Sequence, residues 1–214
     1  MELDEQGGLV IVAPSHWSNA HISETLSHNV TQVSRFIASA RQRQLKPLRY
    51  SDGGSHLYLG KQYPLCIRPA NEFKRGVVFA DGQIRIGVAD PQPHAETIKA
   101  HLYTWYQKRA EVVFAERMKT IAARATWLDI AEVSLKLRKM KRTWGNCSVK
   151  GVIKLNTHLI KAPQQIIDSV IAHELCHLKE MNHGKVFYTL LESLNPDWKS
   201  DRALLRSDAD RYLQ

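Results

Sequence analysis

The chain has 214 residues, 43% hydrophobic and 24% charged, a balance that fits a globular protein with a buried core and excludes a disordered or fibrous one. Its formal net charge is +9 with histidine neutral, and the Lys and Arg residues are scattered with modest clusters over 41–49 and 136–142. A solvated basic surface is therefore the first expectation, and contact with nucleic acid the second.

Leu9-Val10-Ile11-Val12 reads as a short strand closed by Pro14. Ser18 or Asn19 can cap a helix whose apolar positions Ile22, Leu26, Val30, Val33 and Ile37 follow a helical period, fading into Arg41-Gln42-Arg43-Gln44. From Tyr50 to Val88 short alternating runs predict a small antiparallel sheet, with a hairpin turn at Asp81-Gly82, where positive φ is needed. Pro93 to Ala125 has no internal Gly or Pro and predicts one long helix. Val133 to Leu137 and Val152 to Leu155 predict strands on either side of a basic, turn-rich stretch, 139–151. Pro163 opens a second strong helix, a third runs from Lys185 to Leu194, and a last begins near Asp197.

The pattern is α+β, divided into a strand–helix and β-rich region over 1–92 and a second region over 93–214, with one continuous domain as the alternative. No run approaches the ~20 apolar residues of a membrane helix, and residues 1–8 lack the basic-then-apolar pattern of a secretory leader. Three cysteines without metal-knuckle spacing, Cys66, Cys147 and Cys176, fit a reducing compartment. The expected location is cytoplasmic, with no membrane partner.

The second strong helix carries His173-Glu174-Leu175-Cys176-His177. At ~100° per residue, positions four apart lie ~40° from one another, so both imidazoles can converge on one ion while Glu174 faces a neighbouring side. Two imidazoles and an open position suit zinc, and a carboxylate beside that position suits a general base for hydrolysis. The motif follows the apolar run 166–172, and polar side chains on a buried helix need partners, which a metal supplies.

A third ligand is open between His183 and Glu192. An uninterrupted helix would carry His183 to the far side, at ~240°. It can join only if the helix stops near Met181-Asn182 and the chain turns back, which Asn182 and Gly184 permit. That turn chemistry favours His183 over Glu192. Glu180 stands where metzincin peptidases place a Gly, and no Met-turn follows, so the metzincin pattern is not met. Cys176 is expected to be a small buried hydrophobe, and Cys147 to be structural or inert, with a reactive thiol near the site as its alternative; Trp144 and Phe187 are expected to pack, with Trp144 lining a cleft as the alternative. An extended substrate is expected to add to an exposed strand, taken as 152–156. Tyr188 and His158 are candidates for oxyanion stabilisation that no spacing rule supports.

The C-terminal part of the chain resembles the YgjP-like metallopeptidases. The resemblance rests on Leu135-Lys136-Leu137-Arg138, on Arg142-Thr143-Trp144-Gly145-Asn146-Cys147-Ser148 and on Ile153-Lys154-Leu155-Asn156. Ala162-Pro163, the His173 to His177 motif and Met181-Asn182-His183-Gly184 with Phe187 complete it. It is tight over the last third of the chain and looser before it, with Asn146 where the family often has Ser. The resemblance implies a zincin-like metallopeptidase core with Zn²⁺ held by His173, His177 and His183, Glu174 as catalytic base, and a protein or peptide substrate. The chain is also similar to SprT-like and Spartan-type proteases, which act on proteins attached to DNA. The alternative is a nucleic-acid-associated zinc protein, its metal structural or its protease activity directed at DNA-bound proteins.

Overall fold

The structure, a computed structural model, describes residues 2–3, 9–34, 47–73, 75–90, 94–128, 133–141 and 143–214. The expectations placed on Ile37, on residues 41–44, on the 92/93 boundary and on Arg142 fall outside them. Contacts divide the chain into two compact units, Met1–Pro47 and Leu48–Gln214.

In the first unit, β1 (Glu2–Leu3) pairs antiparallel with β2 (Leu9–Val10). Helix α1 (Asn19–His28) is capped by Ser18, whose hydroxyl accepts from the His21 amide. Helical backbone resumes over 30–34.

The second unit opens with a four-stranded sheet of β3 (Ser55–Tyr58), β4 (Lys61–Pro69), β5 (Gly76–Ala80) and β6 (Gln83–Val88), in the order β3-β4-β6-β5. The sheet is mixed where an antiparallel one was expected, because β6 runs parallel to β4. Burial gives the reason. Ile84, Ile86 and Val88 of β6 are buried, whereas Val78 and Phe79 of β5 are exposed, so the more apolar hairpin arm takes the central place. The hairpin turn sits at Asp81-Gly82 with φ of 49° and 69°.

Helix α2 (Ala95–Ala122) buries Ile98, Leu102, Trp105, Tyr106, Ala110, Phe114, Met118 and Ile121, recurring three and four apart along one side. Tyr106 donates to the Leu57 carbonyl and Arg109 to the Tyr58 hydroxyl, tying α2 to β3. A second sheet follows, in the order β7-β9-β8: β7 (Ser134–Arg138) is parallel to β9 (Val152–Asn156), and β8 (Gly145–Cys147) is antiparallel to it. The strand 152–156 is thus central, and the edges are β7 and β8, a correction to the edge expected above.

A 3₁₀ turn over Thr157–Lys161 leads through Pro163 into α3 (Gln164–His177). The β3–β4 turn holds this entry: the Leu59 and Gly60 amides donate to the Ile160 and Lys161 carbonyls. Gly60, at φ 82°, lies so close to Pro163 that a Cβ would meet its ring at 2.7 Å. Arg117 of α2 grips Asp168 of α3 with two hydrogen bonds of 2.7 Å. Helices α4 (Lys185–Leu194), α5 (Trp198–Ser207) and α6 (Ala209–Leu213) finish the chain, and α3 packs against α2, α4, α5, β8 and β9. Its buried side chains join those of the first sheet and α2 in one core. No helix among the described residues is long and apolar enough to cross a membrane.

Candidate metal centre

Helix α3 stops at His177, earlier than the stop expected near Met181-Asn182. The amides of Leu178, Lys179 and Glu180 bond back to Leu175 and Cys176, and the Glu180 carboxylate accepts from the Asn182 amide. No residue from 178 to 184 needs a positive φ, so neither Asn182 nor Gly184 plays the left-handed role expected of it. The turn aims His183 back at the helix.

Nε2 of His173 lies 3.2 Å from Nε2 of His177 and 3.2 Å from Nε2 of His183. Each of the three offers one ligand atom, all within 4.8 Å of one another. Glu192 is exposed on α4 and outside this cluster. Zn–N bonds of about 2.0–2.1 Å in a tetrahedron separate neighbouring nitrogens by about 3.3 Å, close to the two distances that His173 makes. The Nδ1 of His177 donates to the Glu180 carbonyl at 3.1 Å, which leaves its Nε2 lone pair for an ion. Burial, then the His177, His183 and Arg202 charges, lowers the His173 pKa to about 4. The His177 pKa is also lowered, first by burial. Both rings are thereby kept neutral, the form that ligates. Phe187, fully buried, packs against all three imidazoles with centroids 4.6–4.9 Å away.

Glu174 is buried at 5% exposure, and its Oε2 has no hydrogen-bond partner. Burial pushes its carboxyl up to about 7. Beside it lies Gly145 of β8, where a Cβ would stand 2.6 Å from Oε1 of Glu174. A cavity of about 510 Å³ opens here, lined by Thr143, Trp144, Gly145, His173, Glu174, His183, Tyr188 and the α5 side chains Trp198, Arg202 and Arg206 among others.

Trp144 packs against the core, its first expected role, and also lines the cleft, its alternative; Tyr188 lines the cleft while stacked on Trp198 at 4.9 Å. His158 does not reach it. It is buried with Nδ1 3.1 Å from both the Tyr212 carbonyl oxygen and Lys161 Nζ. Cys176 is fully buried, its thiol pushed up to about 12 by burial. The Cys147 thiol is pushed up to about 11 by burial and then by the Glu174 charge, so neither cysteine is a ready thiolate. Three features escaped the sequence reading. Strand β8 lies inside the stretch taken as turn-rich, and the wall contributed by α5 carries no motif. Asn156 holds the approach to β8: its Nδ2 donates to the Met140 and Thr143 carbonyls, and its amide to that of Trp144. A buried Asn closing an apolar strand was the available signal.

The sequence model of the YgjP-like metallopeptidase domain matches residues 1–208. The chain belongs to that family. A curated relative of this YgjP-like chain, from Escherichia coli (strain K12), is described as UTP pyrophosphatase and is 35% identical over 54 residues, 25% of this chain. The match spans about a third of that relative, 32% of its length. Two solved structures are distantly similar to the YgjP-like chain. The metallopeptidase zymogen abylysin of Pyrococcus abyssi has TM-score 0.42 and 19% identity, over 46% of this chain and 96% of its own. The metallopeptidase zymogen jannalysin of Methanocaldococcus jannaschii has TM-score 0.39 and 17% identity, over 45% and 96%.

Proposed function

We propose that the chain is a zinc-dependent peptidase whose metal is held by His173, His177 and His183 and whose general base is Glu174. The observation that carries this reading is the approach of the His177 and His183 Nε2 atoms to 3.2 Å from that of His173, in a cavity with a buried carboxyl oxygen that has no partner. A single Nε2 proton on His173 can serve only one of its two neighbours at a time, whereas a cation between the rings meets all three lone pairs at once. Bound zinc would supply polarisation of the substrate carbonyl and a lowered pKa for the attacking water.

The chain's own residues do the rest. Glu174 takes a proton from the water as it attacks the peptide carbonyl, then delivers it to the departing amine nitrogen as the C–N bond breaks. Strand β8 is an edge strand on the cavity rim, so an extended peptide can be held there by main-chain hydrogen bonds. A purely structural metal is less well supported: closed zinc sites take four protein ligands, and the cluster among the described residues has three.

The name of the Escherichia coli relative brings a second reading, attack of water on a phosphoanhydride. The arginines of α5 on the cavity wall favour it. One assay separates the two: peptide mixtures and UTP, each incubated with wild type and Glu174→Gln, with and without DNA. Peptide cleavage by wild type, reduced at least ~100-fold in Glu174→Gln at equal zinc content, is the expected result. Cleavage of UTP alone would replace the peptidase reading, and equal rates in both proteins would remove Glu174 as base.

A further inference from the structure

Helix α5 presents Trp198, Arg202, Leu205 and Arg206 to the cavity, at i, i+4, i+7 and i+8. Arg202 and Arg206 thus stand one turn apart on the face of α5 that lines the cavity. Glu174 is the only carboxylate among the described residues that line the cavity. Both arginines are exposed, and among the described residues neither joins an ion pair or donates a hydrogen bond. Arg202 is near enough that its charge acts on His173.

The helix is also held in rotation. Asp201, 1% exposed, accepts from Gln165 Nε2 at 2.5 Å and from Asn195 Nδ2 at 2.8 Å, one bond to each carboxylate oxygen. Gln165 lies on α3 itself, so the motif helix and the arginine-bearing helix are locked by a buried carboxylate. Arg202, the next residue, is therefore presented from a fixed support rather than from a loose surface helix. Unpaired arginines on the wall of a cavity that Trp144 and Trp198 also line can receive an oxyanion in fork geometry.

We propose that Arg202 and Arg206 form an anion subsite that selects substrates carrying a carboxylate or phosphate next to the bond cleaved at the metal centre. The assignment rests on the reading of this cavity as the substrate site. It makes the two arginines specificity-determining residues, not members of the proton-transfer machinery.

The test is a binding measurement on the zinc-loaded full chain carrying Glu174→Gln, so that no probe is consumed. Two matched pairs are titrated by calorimetry: an end-blocked pentaglutamate against pentaglutamine, and UTP against uridine. The charged member of at least one pair is expected to bind about tenfold or more tighter. That preference should collapse when Arg202→Gln and Arg206→Gln are added, and largely persist with Arg202→Lys and Arg206→Lys, at unchanged zinc content and Tm. The pair showing the preference identifies the anion as carboxylate or phosphate. No preference in either pair, or one that survives both glutamine changes, overturns the proposal. Should the preference behave as expected while the Glu174-bearing chain cleaves no peptide, the subsite stands and the peptidase reading fails.

Discussion

At the scale of single residues, Gly145 and His158 carry the sharpest consequences. A methyl group at 145 would stand 2.6–2.8 Å from three atoms of the Glu174 side chain. That side chain is buried, so it must swing toward the cavity. Gly145→Ala is therefore expected to lower kcat by at least ~10-fold, since general-base efficiency depends on reach. Zinc content should not change, and kcat equal to wild type would contradict the contact. His158 governs stability instead. Burial, then the Lys161 charge, lowers its pKa from the ordinary 6.5 to about 4. Between those values the unfolded chain binds a proton that the folded chain refuses, so stability falls as pH drops through that window. The loss is on the order of 2–3 kcal/mol. His173 acts with the same sign and Glu174, raised to about 7, with the opposite one, so the measurement is the difference between metal-free wild type and His158→Gln. Urea unfolding from pH 7 to pH 4.5 should show a shallower decline in the variant, and identical slopes would refute the assignment.

At the scale of elements, α4 supplies the floor of the candidate metal centre through Phe187. This side chain touches all three imidazoles, so it couples packing to ligand placement. Phe187→Ala is expected to cost roughly 3–5 kcal/mol by chemical denaturation and to weaken zinc binding, as read by competition with a chelator. A variant destabilised to that degree but with wild-type zinc affinity would show that the floor serves the core alone. Helices were the most legible elements. A Gly- and Pro-free run announced α2, Pro163 announced α3, and Lys185 and Leu194 bound α4 as expected. Strand pairing was less legible, since alternation marks a strand but not its neighbour, and β6 rather than β5 sits beside β4. Strand β8 is three residues long, too short for periodicity to register. The return of His183 was read correctly as a need for a helix stop, yet the chain meets it with a carboxylate-braced turn at Glu180.

For the whole molecule, the second unit is organised around α3, which α2 clamps through Arg117, the β3–β4 turn abuts at Pro163, and α5 locks through Asp201. The candidate site was legible because its chemistry is local: His173, Glu174 and His177 fall within five positions of one helix. The cavity wall was not, because Arg202 and Arg206 reach the site only through tertiary packing that no spacing encodes. The central claim is a three-histidine zinc centre, and zinc stoichiometry of the purified protein tests it most directly. Wild type is expected to hold one zinc per chain, as is Glu192→Ala, whereas His183→Ala should lose it. Full zinc occupancy in His183→Ala, or its loss in Glu192→Ala, would contradict the account.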